Sequence, residues 1–122
     1  MENTVYENLS FFAEIKNIPS GQQEAEIERV MNRLGLNVHK DMPAKKLSGG
    51  FKRKLNVAIA LLKDPKIIIM DEPTSGMDPV SRRTFWDIIK SLKNEKKTVI
   101  LTTQFLDEAE QLADRIAIMA KG

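Results

Sequence analysis

The chain has no cysteine among its 122 residues. That removes disulfides, thiol nucleophiles and thiolate metal sites, and it fits a reducing compartment. Histidine is nearly as scarce. His39 stands alone among lysines in a polar stretch, where an imidazole is expected at solvated surface, and we give it no role. Long apolar runs are missing as well. The longest, residues 55–62, is broken by Asn56 and followed by Lys63, far short of the ~20 residues a membrane-spanning helix needs. The opening MENTVYENLS lacks the basic start and apolar stretch of a secretion signal. The expectation is a chain that neither crosses a membrane nor carries a secretion address. Charge is not one-sided either: 19 Lys and Arg face 17 Asp and Glu, so no nucleic-acid partner is expected. With 42% hydrophobic and 30% charged residues, the composition is that of one small globular unit.

The first half carries helix signals. Thr4 and Glu7 match a Thr-x-x-Glu capping box, and Val5, Leu9 and Phe12 follow at helical spacing, predicting a helix that ends before Pro19. Ser20 and Gln23 form a second box. Ile27, Val30, Met31 and Leu34 then make an i, i+3, i+4, i+7 stripe, and Gly35 stands at the C-cap position. After the polar, irregular residues 37–46, a third helix opens at Ser48, with Phe51, Leu55, Ala58, Ile59 and Leu62 on one face, and Asp64-Pro65 stops it.

The second half alternates. Residues 67–70 are a short continuous apolar run, the pattern of a strand buried on both faces. Asp78 and Pro79 supply an N-cap and a proline at N1 for a helix bearing Phe85, Ile88, Ile89 and Leu92. Residues 98–102 follow as a strand, 105–113 as a helix and 115–119 as a third strand. Strand, helix, strand, helix, strand predicts a parallel α/β sheet with right-handed crossovers.

Two stretches bear chemistry. IIIMDEPTSGMD runs an apolar strand into Asp71 and Glu72. Parallel sheets place reactive groups at the carboxyl ends of their strands, where one acid can hold Mg²⁺ and its neighbour can orient or deprotonate a water. LSGGFKRKL sets two glycines between a capping serine and a helix, so that backbone N–H groups and the helix dipole face an anion such as phosphate. Taken singly, the first stretch fits solvated acids after a strand at least as well, and the second is better read as an ordinary capped helix start.

In order and spacing the two stretches resemble the nucleotide-binding domain of ATP-binding cassette (ABC) transporters, over nearly the whole chain. Leu47-Ser48-Gly49-Gly50 is similar to the family's signature motif. Residues 67–72 resemble its Walker B strand, Ser75-Gly76-Met77-Asp78 its D-loop, and Thr102-Thr103-Gln104 its switch-histidine loop. LSGGFKRKLNVAIALL, DEPTSGMDPVSRR and ENLSFFAEIK resemble the A subfamily, associated with lipid transport. The resemblance implies an α/β fold: a partial P-loop NTPase core with parallel strands, preceded by an α-helical subdomain. Residues 1–64 would be that subdomain, and residues 65–122 the Walker B, D-loop and switch-loop part of the core.

It further implies ATP and Mg²⁺ as cofactors, with Asp71 as metal ligand and Glu72 and Gln104 as catalytic residues at this domain's own nucleotide. Ser48, Gly49 and Gly50 would contact the nucleotide of a second such domain, paired head to tail, with Asp78 at the seam. The other implied partners are a transporter's membrane-spanning domains, at the cytoplasmic face of a membrane.

Three departures qualify what the resemblance implies. None of the six glycines belongs to G-x-x-x-x-G-K-[ST], so nothing in this sequence cradles the α- and β-phosphates, and the chain by itself is expected not to hydrolyse ATP. Gln104 stands where the family usually has histidine: it can hydrogen-bond a phosphate but cannot become cationic. Phe51 replaces a frequent glutamine, a change of local packing. An apolar strand without neighbours also predicts an open sheet edge prone to association, and an isolated polypeptide that is either marginal or completed by another chain. The rival reading is a non-catalytic binding module that docks on a partner ATPase or larger assembly. A soluble ABC-type ATPase acting on ribosomes or DNA is a third, to which the near-neutral charge lends nothing.

Overall fold

The computed structural model describes residues 3–120. Their contacts cluster into two compact units that divide between Ile68 and Ile69, where composition suggested one.

The first unit is helical. Helix α1 (Val5–Ile15) begins at Thr4, whose Oγ1 accepts the Glu7 N–H at 3.1 Å, and it buries Val5, Leu9 and Ala13. Helix α2 (Ser20–Leu34) buries the expected Ile27, Val30, Met31 and Leu34. It closes at Gly35 with φ 67°, a left-handed turn that favours glycine. The start of α2 corrects an expectation: Ser20 is its first residue rather than its cap, and Pro19 holds the cap position without a side-chain bond. The Gln22 N–H already bonds the Pro19 carbonyl at 2.8 Å. Gln23 turns away and donates to Ile18 O at 2.9 Å and Glu14 Oε2 at 2.8 Å.

Residues 37–46 hold two 3₁₀ turns, Asn37–His39 and Ala44–Lys46. They lie beside the start of α1, where the Val5 and Tyr6 N–H groups bond the Met42 and Lys40 carbonyls at 3.0 Å each. His39 is half-buried rather than bare surface, its ring edge-on to Phe51 with centroids 4.5 Å apart. Helix α3 (Gly49–Leu61) buries Leu55, Val57, Ala58 and Leu61, and the three helices pack on one another. The carbonyls left open at its end are met by Lys16 Nζ, 2.6 Å from Ile59 O, and by Arg29, 3.0 Å from Leu61 O. Burial pushes the Lys16 pKa below its ordinary value.

Strand β1 (Ile67–Asp71) leads into the second unit, which continues with α4 (Pro79–Asn94), β2 (Thr98–Thr102) and α5 (Leu106–Leu112). The two strands pair in parallel, as a crossover through α4 requires. Asp78 caps α4, with Pro79 in its first turn, and the helix buries Phe85, Ile89 and Leu92 while packing on β2 and α5. The fold class is thus the expected α/β with parallel strands.

Two strand expectations are overturned. β1 is buried on one face only: Ile68 and Met70 are 3% and 7% exposed, Ile67 and Ile69 61% and 72%. A continuous apolar run fills both faces only where both are covered, and among the described residues nothing covers the second. Residues 115–119 form no strand, and Ile116, Ile118 and Met119 stay exposed. An apolar alternation becomes a strand only where a neighbour accepts its hydrogen bonds, and here the sheet has β1 and β2 alone among the described residues. Among the described residues no helix is long and apolar enough to cross a membrane.

Candidate functional site

β1 ends on Asp71, and the chain leaves it at Glu72 with φ 46°. That left-handed backbone costs an L residue roughly 1–2 kcal/mol, so something must hold it. The anchor is Thr102, the last residue of β2. Its carbonyl accepts the Glu72 N–H at 2.9 Å and its Oγ1 accepts the same N–H at 3.0 Å. The Thr102 hydroxyl in turn donates to Asp71 Oδ1. One threonine therefore fixes both acidic residues, and the exposed Gln104 follows it by two positions, at a bend.

Asp71, Glu72 and the Gln104 loop thus meet at the carboxyl ends of adjacent parallel strands, where open α/β sheets bind ligands. The sequence assigned Thr102 no role of its own. The available signal was a hydroxyl residue ending the strand that neighbours the acids.

Asp71 is exposed, and one of its oxygens is fixed by Thr102. Such a carboxylate suits Mg²⁺, which takes one or two protein oxygens and completes its shell with phosphates and water. No cluster of three or more His, Cys, Asp or Glu side chains converges among the described residues.

From Glu72 the chain turns tightly to α4. Ser75 N–H donates to Glu72 O at 3.2 Å, Met77 N–H donates to Thr74 O at 3.1 Å, and Gly76 takes φ 80°. Asp78 accepts from the Val80 and Ser81 N–H groups at 3.1 Å each and from the Ser81 hydroxyl at 2.6 Å. The Ser81 hydroxyl first, and then its N–H, hold the Asp78 carboxyl below the ordinary aspartate range. The folded chain therefore binds that proton less readily than the unfolded one. The cap's stabilisation is full above the ordinary aspartate range and is lost as pH falls through the lowered value. In urea unfolding, wild type is expected to outlast Asp78→Ala at neutral pH and to converge with it in acid below that range. A gap that persists there would show that the charge of Asp78 contributes nothing.

Behind the turn lies a polar cluster that the sequence reading missed. Thr74 is 1% exposed and Glu108, on α5, is 0%. The Thr74 hydroxyl donates to Glu108 Oε2, and Trp86 Nε1 donates to the same oxygen at 2.7 Å. Arg82 lies 4.4 Å over the Phe105 ring and 5.2 Å over Trp86. The signal was positional: Glu108 stands four residues before the buried Leu112, on the stripe of α5 where an apolar residue belongs.

Ser48, Gly49 and Gly50 lie in the first unit. Ser48 Oγ accepts the Phe51 N–H at 3.3 Å, the predicted cap. A Cβ added at Gly49 or Gly50 would meet nothing within 4 Å, and neither glycine has a positive φ. Among the described residues nothing demands glycine at either position.

A groove of about 570 Å³ runs along α4 and α5, lined by Arg82, Arg83, Trp86 and Asp107. Asp71 and Glu72 do not line it. The carboxylate pair sits on open surface.

Residues 1–75 match the family model described as ABC transporter. The chain is 49% identical over 119 residues to "Phospholipid-transporting ATPase ABCA3" of Rattus norvegicus, covering 98% of this chain and 7% of that protein. It is 50% identical, with the same coverage, to "Cholesterol transporter ABCA5" of Homo sapiens. Among solved structures, cbiO1 of Clostridium perfringens, part of the ABC transporter complex cbiONQ, superposes with a TM-score of 0.83 at 29% identity, covering 93% of this chain and 46% of that one. The chain thus spans only a small fraction of the length of these curated relatives.

Proposed function

The chain belongs to the ABC transporter family of ATPase domains, and from that premise we propose that it is the carboxyl-side portion of such a domain, coupling ATP binding and hydrolysis to movement of membrane-spanning domains. Residues 1–64 serve as the helical subdomain, and residues 65–122 as the Walker B, D-loop and switch-loop part of the core. The observation that carries the reading is the pair Asp71–Glu72, held by Thr102 at the end of a parallel strand. Asp71 supplies an oxygen to Mg²⁺, which when bound neutralises phosphate charge. Glu72 orients and deprotonates the attacking water, and Gln104 hydrogen-bonds the γ-phosphate.

Because the pair is exposed, a second surface must exclude water from it. Another nucleotide-binding domain, docked head to tail, supplies that surface. Gly49 and Gly50 point the same way. Both open the first turn of α3, nothing among the described residues requires glycine there, and close approach of a partner's nucleotide to the bare backbone does. The identity to lipid transporters favours a lipid as the transported substrate.

An antibody against residues 107–115, used on membranes of the source organism, tests the assignment. A band far above the 13.8 kDa of this chain is expected. A band at that mass, away from membranes, favours the non-catalytic module instead. Gln104→His in the complete domain is expected to raise ATP turnover several-fold, because a histidine can carry charge toward the γ-phosphate. Unchanged turnover would remove Gln104 as a brake on the site.

A further inference from the structure

We propose that Glu108 is a positioning residue: its buried carboxylate clamps the turn that follows Glu72 to the helix that follows Gln104, so that the two sides of the nucleotide site are set as one body. The proposal rests on the ATPase reading above. Its structural part rests on the geometry alone.

Glu108 is fully buried on α5, four residues after Gln104. Its Oε2 accepts from Thr74, two residues after Glu72, and from Trp86 on α4 at 2.7 Å. One oxygen therefore ties three segments: the turn that orients Glu72, the helix that Asp78 starts, and the helix that the Gln104 loop enters. A second tie runs beside it, the Arg82 guanidinium of α4 lying 4.4 Å over the ring of Phe105, next to Gln104.

The other oxygen, Oε1, is buried with no hydrogen-bond partner among the described residues. Burying an unpaired carboxylate oxygen is costly, whereas an apolar side chain would satisfy the helix stripe without that cost. What the carboxylate adds is the double acceptor at Oε2. This gives a discriminating expectation: glutamine keeps one carbonyl oxygen for Thr74 and Trp86 and alters only the unpartnered corner, so geometry rather than charge is what the site needs.

The test uses the full-length protein that carries this chain. Glu108→Ala is expected to lower kcat for ATP by roughly 10- to 100-fold, the range that a small misplacement of catalytic groups costs. KM should stay within about two-fold, because no group that contacts the nucleotide is removed. Glu108→Gln should remain within about three-fold of wild type, and Thr74→Val should match Glu108→Ala without the double variant being worse, as expected for residues acting as a unit.

Hydrogen exchange read by mass spectrometry is the second readout. In Glu108→Ala, amides 75 and 77 should exchange faster while β1 and β2 keep wild-type rates, and Glu108→Gln should restore the protection. A rise in KM alone, uniformly faster exchange throughout the second unit, or a glutamine variant as damaged as alanine overturns the clamp. If Glu108→Ala does not fold, Thr74→Val carries the same comparison. If wild type shows no turnover that depends on Glu72, the ATPase reading falls, and exchange at amides 75 and 77 alone decides the clamp.

Discussion

Glu72→Gln in a complete ATPase domain carrying this chain is expected to lower ATP turnover by roughly 10²- to 10⁴-fold, the contribution of a positioned general base. ATP binding should be nearly unchanged. The substitution keeps the shape of the side chain and its backbone, and the N–H that Thr102 holds at 2.9 Å is not altered. What disappears is an acceptor for the proton of the attacking water. The 122-residue chain alone is expected to show no turnover, since phosphoryl transfer depends on positioning and charge neutralisation and no G-x-x-x-x-G-K-[ST] occurs in it to hold the phosphates. Phosphate release by the purified chain and by the complete domain, with and without Glu72→Gln, checks both statements. Steady Mg-dependent turnover by the chain alone, abolished by Glu72→Gln, would overturn the second. Turnover in the complete domain indifferent to Glu72→Gln would remove Glu72 from the chemistry.

Phe85→Ala is the change with the largest expected effect on stability, about 3–5 kcal/mol. Phe85 is 1% exposed on α4, the helix that packs on both β2 and α5. Its removal leaves a cavity on the buried face of the crossover that joins β1 to β2, and a close-packed neighbourhood can collapse into it only in part. Chemical denaturation of the complete domain should show a lower midpoint, with Phe85→Leu recovering most of the loss because it restores volume. An alanine variant within about 1 kcal/mol of wild type would mean that the surroundings of α4 relax freely, unlike a packed core.

Much of this molecule is legible in its sequence because the signals are local. Thr4, Ser48 and Asp78 cap the helices that they were expected to cap, since a side-chain oxygen reaching an N–H two or three residues on needs nothing distant. Gly35 ends α2 for the same reason. The stripe Ile27, Val30, Met31, Leu34 lies on the core face because helical period alone selects it. Ser20 misled for a comparable reason in reverse: it has the right residue type at the right spacing from Gln23, but Pro19 had already set the start of the helix.

The sequence by itself determined the residue types at the site, the adjacent acids after an apolar strand, the Ser-Gly-Gly helix start, and the order strand, helix, strand that makes the sheet parallel. Only the tertiary structure decided that Thr102 holds Asp71 and Glu72, that Glu108 is buried against Thr74 and Trp86, and that residues 115–119 stay unpaired. The division has one physical cause. Caps and periodicity are satisfied within a few residues, whereas these contacts join residues 22 to 34 positions apart, and an extended segment becomes a strand only when a partner from elsewhere in the chain accepts its hydrogen bonds.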